Sequence, residues 1–141
     1  MEDLRNKKPR PAGLFATLDE YYEEFWNADR YQDVAMLTEI VDSTRYDRLR
    51  HGVFGLTSEA GEIAGILQKV YQGHGNPLVD EDVRTHLFRE CGDVLWMVAE
   101  ILDACDLSMG VCMKINIDKL RERYPDGFEP EKSLNRKDGD I

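Results

Sequence analysis

Two pairs of carboxylates carry the chemistry that this sequence advertises first: Glu59-x-x-Glu62 and Glu90-x-x-Asp93. In a helix, an i, i+3 step sets both members of a pair on one side, about 5–6 Å apart. Two such pairs on helices packed side by side would gather four negative charges at one place. Gathered carboxylates resist ionisation until something neutralises them. An all-oxygen donor set answers to Mg²⁺, with Mn²⁺ as a substitute, rather than to zinc. Hard cations held this way most often serve phosphate chemistry. Twenty-seven residues lie between Glu62 and Glu90, enough for one helix to end and the next to return antiparallel. Gly61, Gly65 and Gly92 are candidates for close backbone approach between the two.

A second set is cationic. Asn116, Lys119 and Arg123 share one face of a later helix, offset from Met113, Ile117 and Leu120, and suit the oxygens of a polyphosphate. Lys69 lies ten residues after Glu59 on the same flank and is within reach of the same anion. Trp96, Trp26, Tyr22, Phe25 and Phe54 are candidates to stack on a base, with Trp96 the first to test. The three histidines, His51, His74 and His86, are read as surface, boundary or loop residues rather than ligands to the acids. Ferritin-like iron sites need Glu-x-x-His twice; position 93 is Asp and position 65 is Gly, so redox iron chemistry is disfavoured.

Helices must position these residues. Thr17 or Asp19 is a cap for a short helix through Glu20, Tyr21, Phe25 and Trp26. A second stretch, about 30–42, carries Val34, Leu37, Ile40 and Val41 at helical spacing. A third spans about 49–72, with the apolar stripe Val53, Leu56, Ala60, Ile63, Leu67 and Val70, and is stopped by Gly73-His74-Gly75-Asn76-Pro77. Asp80 caps a fourth, 81 to about 105, with the stripe Val83, Leu87, Val94, Val98, Ile101 and Cys105. Asp106 or Ser108 opens a fifth, 109 to about 124, ended by Pro125-Asp126-Gly127. No alternating strand pattern of useful length occurs. The expected fold is all-α, an antiparallel bundle of four to five helices. Residues 1–16 form a disordered arm, 17–128 the helical domain and 129–141 a charged, loose tail.

Composition bounds the function. The chain has 141 residues, 42% of them hydrophobic and 33% charged, with a formal net charge of −10. That charge argues against loose binding to nucleic acid polymers or anionic membranes, yet permits a nucleotide bound through a metal. Cys91, Cys105 and Cys112 have no CxxC spacing and read as buried, reduced thiols of an intracellular, cytoplasmic protein. The polar start, Met1 to Gly13, lacks a signal-peptide core, and no stretch reaches the roughly 18 apolar residues of a membrane span.

From about Tyr31 to Arg136 the chain resembles the MazG-type all-α nucleoside triphosphate pyrophosphohydrolases. The likeness rests on Tyr31-Gln32, on Gly55-Leu-Thr-Ser-Glu-Ala-Gly-Glu62 with Lys69 following, and on Arg89-Glu-Cys-Gly-Asp-Val-Leu-Trp96. It continues through Asn116-Ile-Asp-Lys-Leu-Arg-Glu-Arg-Tyr124 to Pro125-Asp-Gly-Phe128. The resemblance implies that Glu59, Glu62, Glu90 and Asp93 hold Mg²⁺. It further implies that Asn116, Lys119, Arg123 and Tyr124 meet the phosphates and sugar, and that a homodimer or homotetramer completes the site. The implied reaction is hydrolysis of a (deoxy)nucleoside triphosphate at the α-phosphorus, with Glu59 or Glu62 handling the attacking water. Cys91 departs from the more common Leu at what is read as a core position. Alternatives within the fold are dUTP/dCTP-type and phosphoribosyl-ATP pyrophosphohydrolases; outside catalysis, a helical module that binds nucleotide without turnover.

Overall fold

A computed structural model describes residues 28–39 and 42–134. The expected arm, the helix from Thr17 or Asp19 through Trp26, and Ile40, Val41 and the chain after Leu134 lie outside these residues. Every regular element among the described residues is helical. We name them α1 (28–35, running into a 3₁₀ turn at Met36–Thr38), α2 (Arg45–Tyr71), α3 (Glu81–Ala104), α4 (Met109–Arg123) and α5 (Pro130–Leu134).

Local chemistry sets the helix ends. Thr44 and Asp47 form a reciprocal capping box: the Thr44 hydroxyl accepts from the Asp47 amide, and the Asp47 carboxylate accepts from the Thr44 amide. Both satisfy amides that the first turn leaves orphaned, and α2 therefore begins at Arg45, four residues before the start expected near 49. The Asp80 carboxylate accepts from the amides of Asp82 and Val83 at the start of α3. Ser108, not Asp106, caps α4 by accepting from the Val111 amide. The stretch expected to be helical to residue 42 stops earlier: Glu39 is already extended, with φ −65° and ψ 155°. Within the tail expected to be loose, α5 adds a short turn of helix opened by Pro130, a residue preorganised for a first helical position.

Helices α2 and α3, 27 and 24 residues long, form an antiparallel hairpin that dominates the packing. Contacts step in opposite directions along the two. Arg45 donates to the Ala104 carbonyl (3.0 Å), Arg48 binds Asp103 (2.5 Å), and His51 meets Glu100 (2.7 Å). Arg48 also pairs with Glu39 (2.6 Å), tying the chain before α2 to the end of α3. Glycines make the closest approach, although not the expected ones. A Cβ on Gly52 would lie 2.8 Å from Ile101 Cγ1 and 3.2 Å from the Met97 carbonyl oxygen, and one on Gly55 would fall on the Met97 sulfur. A Cβ on Gly61, Gly65 or Gly92 would meet no neighbouring atom within 4 Å.

This contact line turns α2 away from its expected orientation. Gly52 and Ile66 are buried, and Leu56, Ile63 and Val70 are half-buried, but Val53, Ala60 and Leu67 face outward. On α3 the buried positions are Glu90, Met97, Ala99, Glu100 and Ala104, while Phe88, Cys91 and Leu95 are exposed. These exposed positions turn away from the α2–α3 seam. All three cysteines are free, as expected, but exposed rather than buried. Cys91 lies at one of these outward positions, Cys105 in the turn after α3, and Cys112 on α4, which does not pack along the hairpin.

α1 holds the start of α4. The Asp29 carboxylate accepts from the Ser108 hydroxyl and the Gly110 amide, both at 2.8 Å. Gln32, itself buried, donates to the Leu107 carbonyl (2.9 Å) and accepts from the Met109 amide (2.9 Å). Both side chains act as caps supplied from another helix, and they bury Met109 and Gly110.

Candidate metal centre

The α2–α3 register brings the four acids together. Ligand oxygens of Glu59, Glu90 and Asp93 lie within 4.8 Å of one another, and Glu62 joins Glu90 in a second group of the same tightness. Glu59 and Glu62 come from the middle of α2, and Glu90 and Asp93 from the facing part of α3. Each pair needs only the i, i+3 geometry of its own helix; their meeting needs the hairpin. Among the described residues no lysine or arginine pairs with any of the four. Glu90 is buried, with 8% of its surface exposed.

The electrostatics follow from that crowding. Loss of water, then the charges of Glu62, Asp93 and Glu90 and a hydrogen bond with Glu90, hold the Glu59 carboxyl above the ordinary carboxylate range. Tyr31 of α1 borders the same place: its phenol is pushed up by burial first and by the Asp93 charge second. The donors suit a hard divalent cation. They are carboxylate oxygens from two rigid helices, near enough for bonds of about 2.0–2.6 Å after small side-chain rotations.

His51 and His86 are exposed and His74 lies in the turn after α2, as expected, but His86 also joins the acids. His86 Nε2 stands 3.0 Å from Glu90 Oε1, an i, i+4 contact, and groups with Glu62 and Glu90 within 4.8 Å. The spacing His86-x-x-x-Glu90 was the signal for it. His51 Nδ1 bonds the Oε2 of Glu100, which is only 5% exposed. Glu100 carried a signal as well, an acid inside the apolar run of α3, where a buried charge requires a partner. Trp96 is half-buried and sets its ring edge-on to His51, centroids 6.4 Å apart.

The cationic set is placed differently. Asn116 and Lys119 are exposed on α4, and Lys69 is exposed in the last turn of α2, two turns beyond Glu62. The Arg123 guanidinium lies over the Tyr124 ring at 5.8 Å, and Tyr124 tilts against Phe128 at 5.1 Å. An open depression of about 390 Å³ runs beside this end of α4, lined by Asp118, Arg121, Glu122, Tyr124 and Pro125. None of the four acids borders it. Because α4 does not pack along α2 or α3, the single chain assembles the acids but not the acids with the α4 cations. Phe54 is exposed, and the other aromatic candidates, Tyr22, Phe25 and Trp26, lie outside the described residues.

No family model matches the sequence, and no solved structure matches it significantly. The "Gene 37 protein" of Mycobacterium phage L5 is 31% identical over 114 residues, which cover 78% of this chain and 99% of that protein. Its name states no activity. The chain belongs to the family of the Mycobacterium phage L5 gene 37 protein.

Proposed function

We propose that this protein is a metal-dependent nucleoside triphosphate pyrophosphohydrolase. In this reading it cleaves a (deoxy)nucleoside triphosphate at the α-phosphorus to the monophosphate and pyrophosphate. The observation that carries the proposal is the meeting of Glu59, Glu62, Glu90 and Asp93 across α2 and α3 with no lysine or arginine among the described residues paired to them. Carboxylates so placed repel unless a cation joins them, and the donor set suits Mg²⁺, with Mn²⁺ able to substitute. Bound there, the ion would neutralise phosphate charge and activate water.

The chain's own residues supply the rest. Glu59 or Glu62 takes the proton of the attacking water. The water oxygen bonds to the α-phosphorus as the bond to the bridging oxygen breaks, and the electron pair leaves with pyrophosphate. Asn116, Lys119, Arg123 and Tyr124, with Lys69 from α2, bind the phosphates and sugar and offset the departing charge. Trp96 stacks on the base. Since α4 does not lie along the acidic hairpin in one chain, a second copy would bring its α4 to the site.

A homodimer or homotetramer is favoured by the apolar surface left over. Leu67, Tyr71, Phe88 and Leu95 are 51, 93, 78 and 48% exposed, on the longest helices of the molecule. Exposed apolar area of this kind on a soluble protein marks an interface, and the occupant we assign is another copy of this chain.

The test is hydrolysis of a dNTP and NTP panel with Mg²⁺ or Mn²⁺, products resolved. Monophosphate and pyrophosphate in equal amounts are expected. Inorganic phosphate as the first product would refute cleavage at the α-phosphorus. Preference for dUTP, dCTP or phosphoribosyl-ATP would select one of those activities. Tight nucleotide binding without turnover under any divalent metal would make the protein a non-catalytic binding module.

A further inference from the structure

The acids do not form one uniform oxygen cage. Glu59, Glu90 and Asp93 make an all-carboxylate group, whereas Glu62, His86 and Glu90 make a neighbouring group with an imidazole nitrogen in it. Glu90 belongs to both, so its carboxylate lies between two adjacent positions of different chemistry. We propose that the Glu62–His86–Glu90 position is a mixed nitrogen–oxygen site for a first-row transition metal ion, Mn²⁺ or a softer neighbour, in which His86 is a direct ligand. The inference deepens the metal-centre reading above and rests on it for the carboxylates alone.

Three observations carry it. First, the side chain of Glu90 is 10% exposed and no lysine or arginine reaches it among the described residues. Its partner is the His86 imidazole, and one imidazole beside four crowded carboxylates leaves negative charge that only an added cation would offset. Second, His86 Nε2 stands 3.0 Å from Glu90 Oε1 while its ring is 53% exposed. The histidine therefore lines the open edge of the group, where small rotations admit an ion between the two atoms. Third, the donors come from two helices locked by packing at Gly52 and Gly55, with His86 and Glu90 one turn apart on α3 and Glu62 opposite on α2. Three protein donors on one side leave the remaining positions to water or a phosphate oxygen. Imidazole discriminates strongly: Mg²⁺ prefers oxygen alone, whereas affinity for a nitrogen-containing site rises from Mn²⁺ through Co²⁺ and Ni²⁺.

The protein would be loaded with Mn²⁺ in the presence of excess Mg²⁺ and examined by pulsed electron paramagnetic resonance. The expected signal is a hyperfine coupling to one imidazole ¹⁴N. It should persist in His51→Gln and vanish in His86→Gln, with Mn²⁺ affinity falling about tenfold or more in the latter. Co²⁺ should give a visible spectrum whose position shifts in the same variant. Circular dichroism of His86→Gln, altered at an exposed ring, should match wild type and so exclude unfolding as the cause. Absence of nitrogen coupling in wild type, retention of it in His86→Gln, or failure of Mn²⁺ to bind at all would each overturn the assignment. Wild-type measurements separate the two readings. Nitrogen coupling without triphosphate hydrolysis would leave this site standing and remove the enzyme; hydrolysis without nitrogen coupling would do the reverse.

Discussion

Glu59 shows how one residue links the stability of the centre to its proposed work. Its carboxyl is held above the ordinary range by lost water and then by Glu62, Asp93 and Glu90, so in the metal-free fold its ionised form is disfavoured. The sign for stability follows by linkage. At neutral pH the penalty is present; it is relieved as pH falls through the raised folded value and is gone below the unfolded one. Metal-free protein should therefore gain from this group on mild acidification. Glu59→Gln should raise the melting temperature in EDTA while abolishing the upward shift that Mg²⁺ or Mn²⁺ produces in wild type, measured by differential scanning fluorimetry. Turnover of that variant, and of Asp93→Asn, should drop by about a thousandfold or more; near-wild-type hydrolysis in either would remove the catalytic assignment. Asp47 works in the opposite sense. Its hydrogen bonds with Thr44, then Arg50, lower its carboxyl, so its contribution is present above the unfolded value and is lost as pH falls through the folded one. The i, i+3 acid pairs were legible in the sequence because both members of a pair belong to one helix. The contact of His86 with Glu90 was encoded in their i, i+4 spacing, but the sequence reading set His86 aside as a surface or boundary residue. Glu100 and His51 were less legible, since their meeting depends on two helices.

At the level of elements, the α2–α3 seam is decided by two glycines. Gly52→Ala would set a methyl group 2.8 Å from Ile101 Cγ1 and 3.2 Å from the Met97 carbonyl, and backbone cannot give way as a side chain can. We expect a loss of about 1–3 kcal/mol in urea unfolding, together with weaker metal binding, because the acids sit on the same two helices. Gly61→Ala meets nothing within 4 Å and should instead stabilise α2 by about 0.5–1 kcal/mol through helix propensity. If both variants lost stability equally, close approach at Gly52 would not be what orders the seam. α4 depends on α1 in another way. Asp29→Ala or Gln32→Ala strips partners from buried groups at the start of α4. Each should cost about 1–3 kcal/mol, read most directly as faster amide exchange in residues 109–113. Gln32 was noticed in the sequence only as part of a motif. Its clamp on Leu107 and Met109 spans more than seventy residues of chain, and no local pattern encodes such a contact.

For the whole molecule, the balance of buried and exposed apolar groups points past the single chain. Among the described residues the buried apolar set is Ile66, Met97, Ala99, Ala104 and Met109, while Phe88, Leu78, Val79, Tyr71 and Leu67 are exposed. Light scattering should return a mass of two or four chains at micromolar concentration, and Leu67→Glu or Phe88→Glu should lower it by placing charge in the interface. A monomer throughout that range would leave the acids and the α4 cations unassembled and would weaken the proposed activity with them. No helix among the described residues is long and apolar enough to cross a membrane, in line with the absence of long apolar runs.

By itself the sequence determined the helical character of the described chain, the cap at Asp80, the stop after Arg123 and the pairing of acids within each helix, and it narrowed the cap of α4 to Asp106 or Ser108. All of these are local: hydrogen bonds to the first free amides, a period near 3.6 residues, and backbone breakers. Tertiary structure alone decided which face of α2 meets α3. A stripe of apolar residues names a buried side but not its partner, and Val53, Ala60 and Leu67 turn outward because Gly52 and Gly55 let α3 approach along a neighbouring line. That rotation and register bring Glu59 and Glu62 against Glu90 and Asp93, admit His86 to the group, and leave apolar side chains of both helices exposed. Charge separated by twenty-seven residues of chain converges only when two helices lock at a fixed distance and offset, and packing, not periodicity, fixes both.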